Sequence, residues 1–302
     1  MRKALSVLFW IWVGLSTTQA ESFFPDSNLE AAVRQQVFAG EKMTAEDLKK
    51  LSTLKATGAG IRDLRGLEKC TSLAALDLAN NQIADLTPLK DLVNIQTLTL
   101  SANKIQDVTP LSNLTKLQYL ELSRNEVSDI APLGKLTELR ALYLSENRIS
   151  NLSGLQNLQK LSSLYLTGNK ISDLKPLADM GYLSSLELAG NQVSDLSPIS
   201  NLKYLRYLNL SNNRLSDLKS LVAMSKKDFA GEKNFAPYLF IDVNGNPLNP
   251  TVKTAQLKEL KEYGIRLDEG AGTTASQKGA KKPPSASSKN AASSKKATAE
   301  KK

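Results

Sequence analysis

The chain has no histidine and one cysteine, Cys70, in 302 residues. Without histidine there is no imidazole general base, no Ser-His-Asp triad and no His-containing zinc site. One cysteine excludes an internal disulfide, and no glycine-rich phosphate loop occurs. A basic excess is missing from most of the chain. Of the net charge of +9, residues 1–20 carry +2 and residues 271–302, with eight Lys and one Glu, carry +7. Residues 21–270 are left at zero, so no specific nucleic acid is expected as a partner. Long apolar runs are also lacking. Ala4 to Leu15 is twelve residues, short for a membrane span. With Arg2 and Lys3 before it and Thr18-Gln19-Ala20 after it, this stretch reads as a cleavable secretory signal over residues 1–20, with an uncleaved anchor as the alternative. No Cys follows the cleavage site to carry a lipid. A secreted, periplasmic or cell-envelope location is expected.

What is present is a repeat. In LRALYLSENRISNL, residues 139–152, the apolar residues are Leu139, Leu142, Leu144, Ile149 and Leu152. This frame, LxxLxLxxNxI, recurs with its Asn at Asn81, Asn103, Asn125, Asn147, Asn169, Asn191 and Asn213, always 22 residues apart. It persists backward through Leu51, Leu54, Ala56, Ala59 and Ile61. Forward it returns as Tyr238, Ile241, Val243, Asn246 and Leu248 after 11 extra residues. Nine leucine-rich repeats follow from this signature.

The fold class expected is an α/β solenoid. It is a leucine-rich-repeat horseshoe with a parallel sheet on the concave face, short 3₁₀ or irregular segments on the convex side, a helical N-terminal cap and a small C-terminal cap. The organisation is 1–20 signal, 21–50 helical cap, 51–248 repeats with an insertion at about 224–237, 249–270 C-terminal cap, and 271–302 a Lys/Ala/Ser-rich tail. The tail lacks apolar residues and reads as disordered. It serves either solubility or contact with an anionic envelope polymer or lipid.

Several columns are assigned to the scaffold. The Asn column is expected to satisfy backbone groups of the turn after each strand. Asp85, Asp107, Asp129, Asp173, Asp195 and Asp217 precede a turn and read as local caps rather than metal ligands. Cys70 occupies a core leucine slot. The sequons at Asn113, Asn151 and Asn209 arise easily from the frame. No metal and no cofactor is expected.

The N-terminal segment FPDSNLEAAVRQQVFAGEKMTAEDLKKL, residues 24–51, supplies a cap: Asp26 or Ser27 opens one helix, and Thr44 with Asp47 opens a second. This start, together with tandem repeats of the N-x-I-S-D-L-x-P-L kind, resembles the internalin family of bacterial surface proteins over Phe24 to Leu221. The repeats alone are shared with other families, including a cytoplasmic regulatory subunit of protein phosphatase 1. The resemblance implies a leucine-rich-repeat fold and secreted binding. Internalins usually continue into an immunoglobulin-like domain and a wall-anchoring region. Here Asn249-Pro250 starts a helix instead, and Ile265-Arg266-Leu267 reads as a last strand.

Residues that the leucine frame does not dictate are the functional candidates. Tyr143 lies between two inward leucines and must point onto the open sheet face. Collecting its equivalents gives Tyr119, Glu121, Tyr143, Tyr165, Glu187, Tyr207, Phe240 and Asp242, with the tyrosine rings expected to face solvent. Aromatics beside carboxylates resemble a protein-recognition hot spot. Glu121 and Glu187 lie three strands apart, about 14 Å, too far for a glycosidase pair. The expectation is a monomeric, non-catalytic protein binding a protein ligand through the concave face. An envelope polysaccharide ligand, or a role as regulatory subunit of an exported enzyme, are the alternatives.

Overall fold

Two leucines flanking one residue place both side chains on the same side of an extended segment, and each such segment pairs with its equivalent in the next coil. In the computed structural model, which describes residues 22–37 and 42–268, ten strands form one parallel sheet in strict chain order. They are β1 (Thr53–Lys55), β2 (Ala75–Asp77), β3 (Thr97–Thr99), β4 (Tyr119–Glu121), β5 (Ala141–Tyr143), β6 (Ser163–Tyr165), β7 (Ser185–Glu187), β8 (Tyr207–Asn209), β9 (Phe240–Asp242) and β10 (Arg266–Leu267). The expected solenoid is therefore present. Register is kept from coil to coil: Ala141, Leu142 and Tyr143 lie opposite Ser163, Leu164 and Tyr165.

Short 3₁₀ turns return the chain on the other side of the core. Five of them, including Thr87–Leu89 and Ala131–Lys135, carry proline in their first turn. Proline fits there because it fixes φ and needs no N–H partner. The apolar residues of both sides are fully buried, among them Leu142, Leu144, Leu152 and Leu155. Cys70 is buried in the same rows, and burial pushes its thiol up to about 12. It is a core side chain, not a nucleophile. The aspartate column caps locally: Asp85, Asp107 and Asp129 each accept from the N–H two residues on at 2.8–2.9 Å.

The Asn column does more than finish its own turn. Asn147 donates from Nδ2 to the carbonyls of Leu144 at 3.1 Å and Leu122 at 3.0 Å, and its Oδ1 accepts from Val127 N–H at 3.0 Å. Leu122 and Val127 belong to the preceding coil. The same pattern holds at Asn81, Asn103, Asn125, Asn169, Asn191 and Asn213. The carboxamide thus bridges adjacent coils as well as closing its own turn. The residue just before it takes a left-handed conformation in each repeat. Gly58, Gly168, Gly190 and Gly245 suit this, while Ala102, Arg124 and Glu146 adopt it with φ of 54–59°.

At the first coil Ala59 stands in the Asn slot, and Asp26 ties the N-terminal cap to this coil. Its Oδ1 caps helix α1 (Ser27–Val37) by accepting from Asn28 and Leu29 N–H, and its Oδ2 accepts from Arg62 N–H at 2.8 Å and Asp63 N–H at 3.2 Å. Helix α2 (Ala45–Lys50) starts with a capping box between Thr44 and Asp47. In the eighth coil the 3₁₀ turn is replaced by α3 (Lys219–Ala230), which packs against α4 (Pro250–Glu262), whose N-cap is Asn249. One frame position is corrected here. Tyr238 does not fill the first leucine slot of the ninth repeat; it is 60% exposed, and Leu239 is buried in its place. The turn Tyr238 and Leu239 N–H groups make with Phe235 carbonyl shifts the inward residue by one.

Asn147→Ala should cost about 2–4 kcal/mol, because it strands buried backbone groups of two coils at once. Leu142→Ala should cost about 2–5 kcal/mol by leaving a cavity. Urea unfolding measures both; an Asn147→Ala loss under 0.5 kcal/mol would contradict the bridging role. A second expectation concerns acid. Burial pushes the Asp26 carboxyl up, but its four backbone N–H donors outweigh this and hold it below the ordinary 3.8. Its contribution is present above that value and disappears as pH falls through the depressed folded value. Amide exchange at Arg62 and Asp63 should quicken in that acid range, and Asp26→Ala should show the quickened exchange already at neutral pH.

Candidate functional site

The alternation that hides Leu142 and Leu144 turns residues 141 and 143 to the other side of the sheet. Because strands stack in register, equivalent positions become rows. One row runs Tyr119, Ala141, Ser163, Ser185, Tyr207, Phe240, and the other runs Asp77, Thr99, Glu121, Tyr143, Tyr165, Glu187, Asn209, Asp242.

The eight predicted residues all lie on this face, but they divide into two aromatic groups. Tyr143 and Tyr165 stack with centroids 4.5 Å apart and planes 5° apart, and Tyr119 meets Tyr143 at 5.3 Å with a 44° tilt. Further along, Tyr207 and Phe240 stack at 5.8 Å. Small residues at Ala141, Ser163 and Ser185 leave room for the first group to close over the sheet. The expectation that every ring faces solvent fails at Tyr165, which is only 6% exposed, with the parallel Tyr143 ring of the neighbouring strand stacked against one of its faces. Tyr119, Tyr143 and Tyr207 remain half-buried.

Electrostatics follow from this packing. Burial and then Tyr143 and Glu187 push the Tyr165 phenol up to about 12. Its hydroxyl is buried without a hydrogen bond; Ser185 on the next strand only partly offsets the shift and does not reach bonding geometry. Burial, then Glu121, raises Tyr119 and Tyr143, and burial, then Glu187, raises Tyr207. Burial also raises the Glu121 carboxyl, against the Ser123 N–H that it accepts at 2.8 Å.

The acids have a second job that the sequence reading missed. Asp77, Glu121 and Asp242 each accept from the backbone N–H two residues on, at 3.1, 2.8 and 2.9 Å. Glu187 accepts from Thr167 Oγ1 at 3.1 Å, and Asn209 accepts from Ser211 N–H. These groups brace the end of each strand, so their presence is partly structural. Among the described residues none of the four acids forms an ion pair. Also missed were Tyr182, Tyr204 and Tyr238, exposed at the strand-entry edge of three successive coils. The signal was available: Tyr182 and Tyr204 sit just before the first leucine of their repeats.

Glu121 and Glu187 stand on β4 and β7, three strands apart. Among the described residues no group of three or more His, Cys, Asp or Glu gathers as a metal set, and no helix is long and apolar enough to cross a membrane. The face offers rings, carboxylates and one unpaired hydroxyl, which suits binding.

The profile described as "Leucine Rich repeats (2 copies)" matches residues 93–135, 137–179 and 183–223, and a single-repeat profile matches 69–86. Internalin C2 of Listeria monocytogenes is 35% identical with a TM-score of 0.65, and the match covers 67% of this chain and 91% of that one. The functional domain of InlJ from the same organism, which includes a cysteine ladder, is 25% identical with a TM-score of 0.58, covering 78% of this chain and 54% of that one. The leucine-rich-repeat ectodomain of the Arabidopsis thaliana receptor kinase GASSHO1/SCHENGEN3, solved with CASPARIAN STRIP INTEGRITY FACTOR 2, is 28% identical with a TM-score of 0.52, covering 61% and 23%. No curated protein matches the chain.

Tyr165→Phe should leave stability unchanged or raise it, since it removes a buried hydroxyl that has no partner. Tyr165→Ala should cost about 3 kcal/mol or more by opening a cavity beside Tyr143. Thermal melts distinguish the two. Because the folded Tyr165 phenol lies above the ordinary 10.0, its contribution is complete below that pH and is lost as pH rises toward about 12. Tyr165→Phe should lessen the alkaline loss of stability.

Proposed function

Because the chain belongs to the internalin-type leucine-rich-repeat family, we propose that it is a secreted or cell-envelope binding protein without catalytic activity. It recognises a protein partner on the solvent face of its sheet, centred on Tyr119, Tyr143 and Glu121. The observation that carries this reading is the three-tyrosine cluster, which the leucine frame does not require and which is set on a continuous parallel sheet. Tyrosine gives large contact area with little side-chain entropy to lose, and is enriched at interface hot spots. Glu187, Tyr207, Phe240 and Asp242 extend the surface. Tyr165, nearly buried, supports it by stacking beside Tyr143 rather than offering its own ring.

The receptor-kinase ectodomain described above, solved in complex with a named factor, supports the idea that a leucine-rich-repeat solenoid can hold a partner. Secretion rests on the signal over residues 1–20 and on the internalin relationship. The Lys-rich tail, 271–302, adds weak contact with an anionic envelope polymer or lipid, screened over about 8 Å in physiological salt. Both segments lie outside the described residues.

A pull-down from envelope extract identifies the partner. Tyr143→Ala and Tyr119→Ala should then weaken binding by more than about 1 kcal/mol each, with melts showing that both variants stay folded. Wild-type affinity in both folded variants would remove the sheet face as the binding surface.

A further inference from the structure

Four carboxylates lie in one row of the sheet face, Asp77, Glu121, Glu187 and Asp242. The basic residues in the two face rows stand at the ends, Lys55 on the first strand and Arg266 on the last. Elsewhere several exposed acids are ion-paired, Glu146 with Arg124, Glu126 with Arg148, Glu138 with Lys160, while the turn aspartates Asp85, Asp107 and Asp129 each accept a backbone N–H. The face acids also pair with neutral donors, but they stand in one row beside aromatic rings: Asp77 and Glu121 accept from the backbone N–H two residues on, Glu187 from Thr167 Oγ1, and Asp242 from Asn244 N–H and Nδ2. Glu121 is the sharpest case, because it is half-buried against tyrosine rings and the nearby Arg124 is turned to Glu146.

A second, independent feature is the Tyr165 hydroxyl. The residue is 94% buried, from its 6% exposure, and its oxygen is unpaired between Tyr143 and Glu187. An orphan hydroxyl of this kind is costly unless a donor or acceptor arrives. Tyrosine faces also attract cations, more strongly where water is excluded.

We infer that the segment taken by this face is cationic: a stretch of partner protein whose arginine or lysine side chains lie on Tyr119 and Tyr143 and pair with Glu121 and Glu187. This rests on the reading of the face as the binding surface. Charge complementarity selects the occupant. An acidic segment meets four like charges, and a neutral one leaves Glu121 half-buried without an ion pair. Arginine fits best, because its planar guanidinium stacks on a ring while forking to a carboxylate.

The test uses the full chain and capped peptides of alternating Arg–Gly, with Lys–Gly, Gln–Gly and Glu–Gly peptides as comparisons, by calorimetry. Arg–Gly should bind in a salt-sensitive way, Lys–Gly more weakly, and Gln–Gly and Glu–Gly not measurably. Glu121→Gln with Glu187→Gln should weaken Arg–Gly by more than about tenfold, with melting unchanged. Equal binding of Gln–Gly and Arg–Gly, no binding of either basic peptide, or indifference to the double substitution overturns the inference. A random peptide library panned on the chain separates this from the underlying reading. Selected peptides that lose binding in Tyr143→Ala but carry no basic residue defeat the cationic assignment and leave the face intact. Peptides indifferent to Tyr143→Ala and Tyr119→Ala defeat both.

Discussion

Each coil is held to the next by a carboxamide that serves two coils at once. A 22-residue unit cannot cover its own apolar side, so its leucines need neighbours. Apolar contact is tolerant of small slips, and directional bonds are not. The asparagine supplies the direction: its oxygen takes an N–H from the previous coil, and its nitrogen gives to a carbonyl in each coil. Leu122 carbonyl therefore accepts from both Asn125 and Asn147. The strands can be three residues long because their alignment does not rest on the strand bonds alone. Every face residue inherits its position from this alignment.

Much of this was readable beforehand. The leucine spacing, the seven asparagines in register and the Thr44–Asp47 pair carry one-dimensional rules into local structure. The outward direction of Tyr143 follows from alternation alone. What escaped depends on neighbours across strands. Whether Tyr165 is open or covered is decided by how the Tyr143 ring lies on it, and by the small residues at Ala141 and Ser163. The bracing role of Glu121 depends on a backbone N–H whose direction is set by the turn. Tyr238 misled the frame because a local turn moves the inward position by one residue, to Leu239. Tyr182 and Tyr204 lie outside the alternating strand positions, so alternation says nothing of their exposure.

Scaffold and site use different physics on the same three residues. In β5, Leu142 is held by burial, while Tyr143 beside it is held by ring contact. The frame leaves positions on the open face free to vary, and the face rows show that freedom: Thr, Ala, Ser, Tyr, Glu and Asp all occur there. The cost of placing rings and uncompensated carboxylates together is offset by the long core behind them. Recognition can change without disturbing the stack.

Asn246 shows how far that tolerance extends. It makes the same bonds as the other asparagines, to Leu215 N–H at 3.0 Å and Leu210 carbonyl at 2.8 Å, although 31 and 36 residues separate these groups instead of 20 and 25. The detour through α3 leaves the bridge unchanged. Length is thus decoupled from pitch on the return side of a coil. The architecture has a natural splice point there: loops or helices inserted after a 3₁₀ turn become appendages, and whole coils are gained or lost in units that the ladder rejoins. A lineage built this way diversifies by editing outlines while its internal spacing stays fixed.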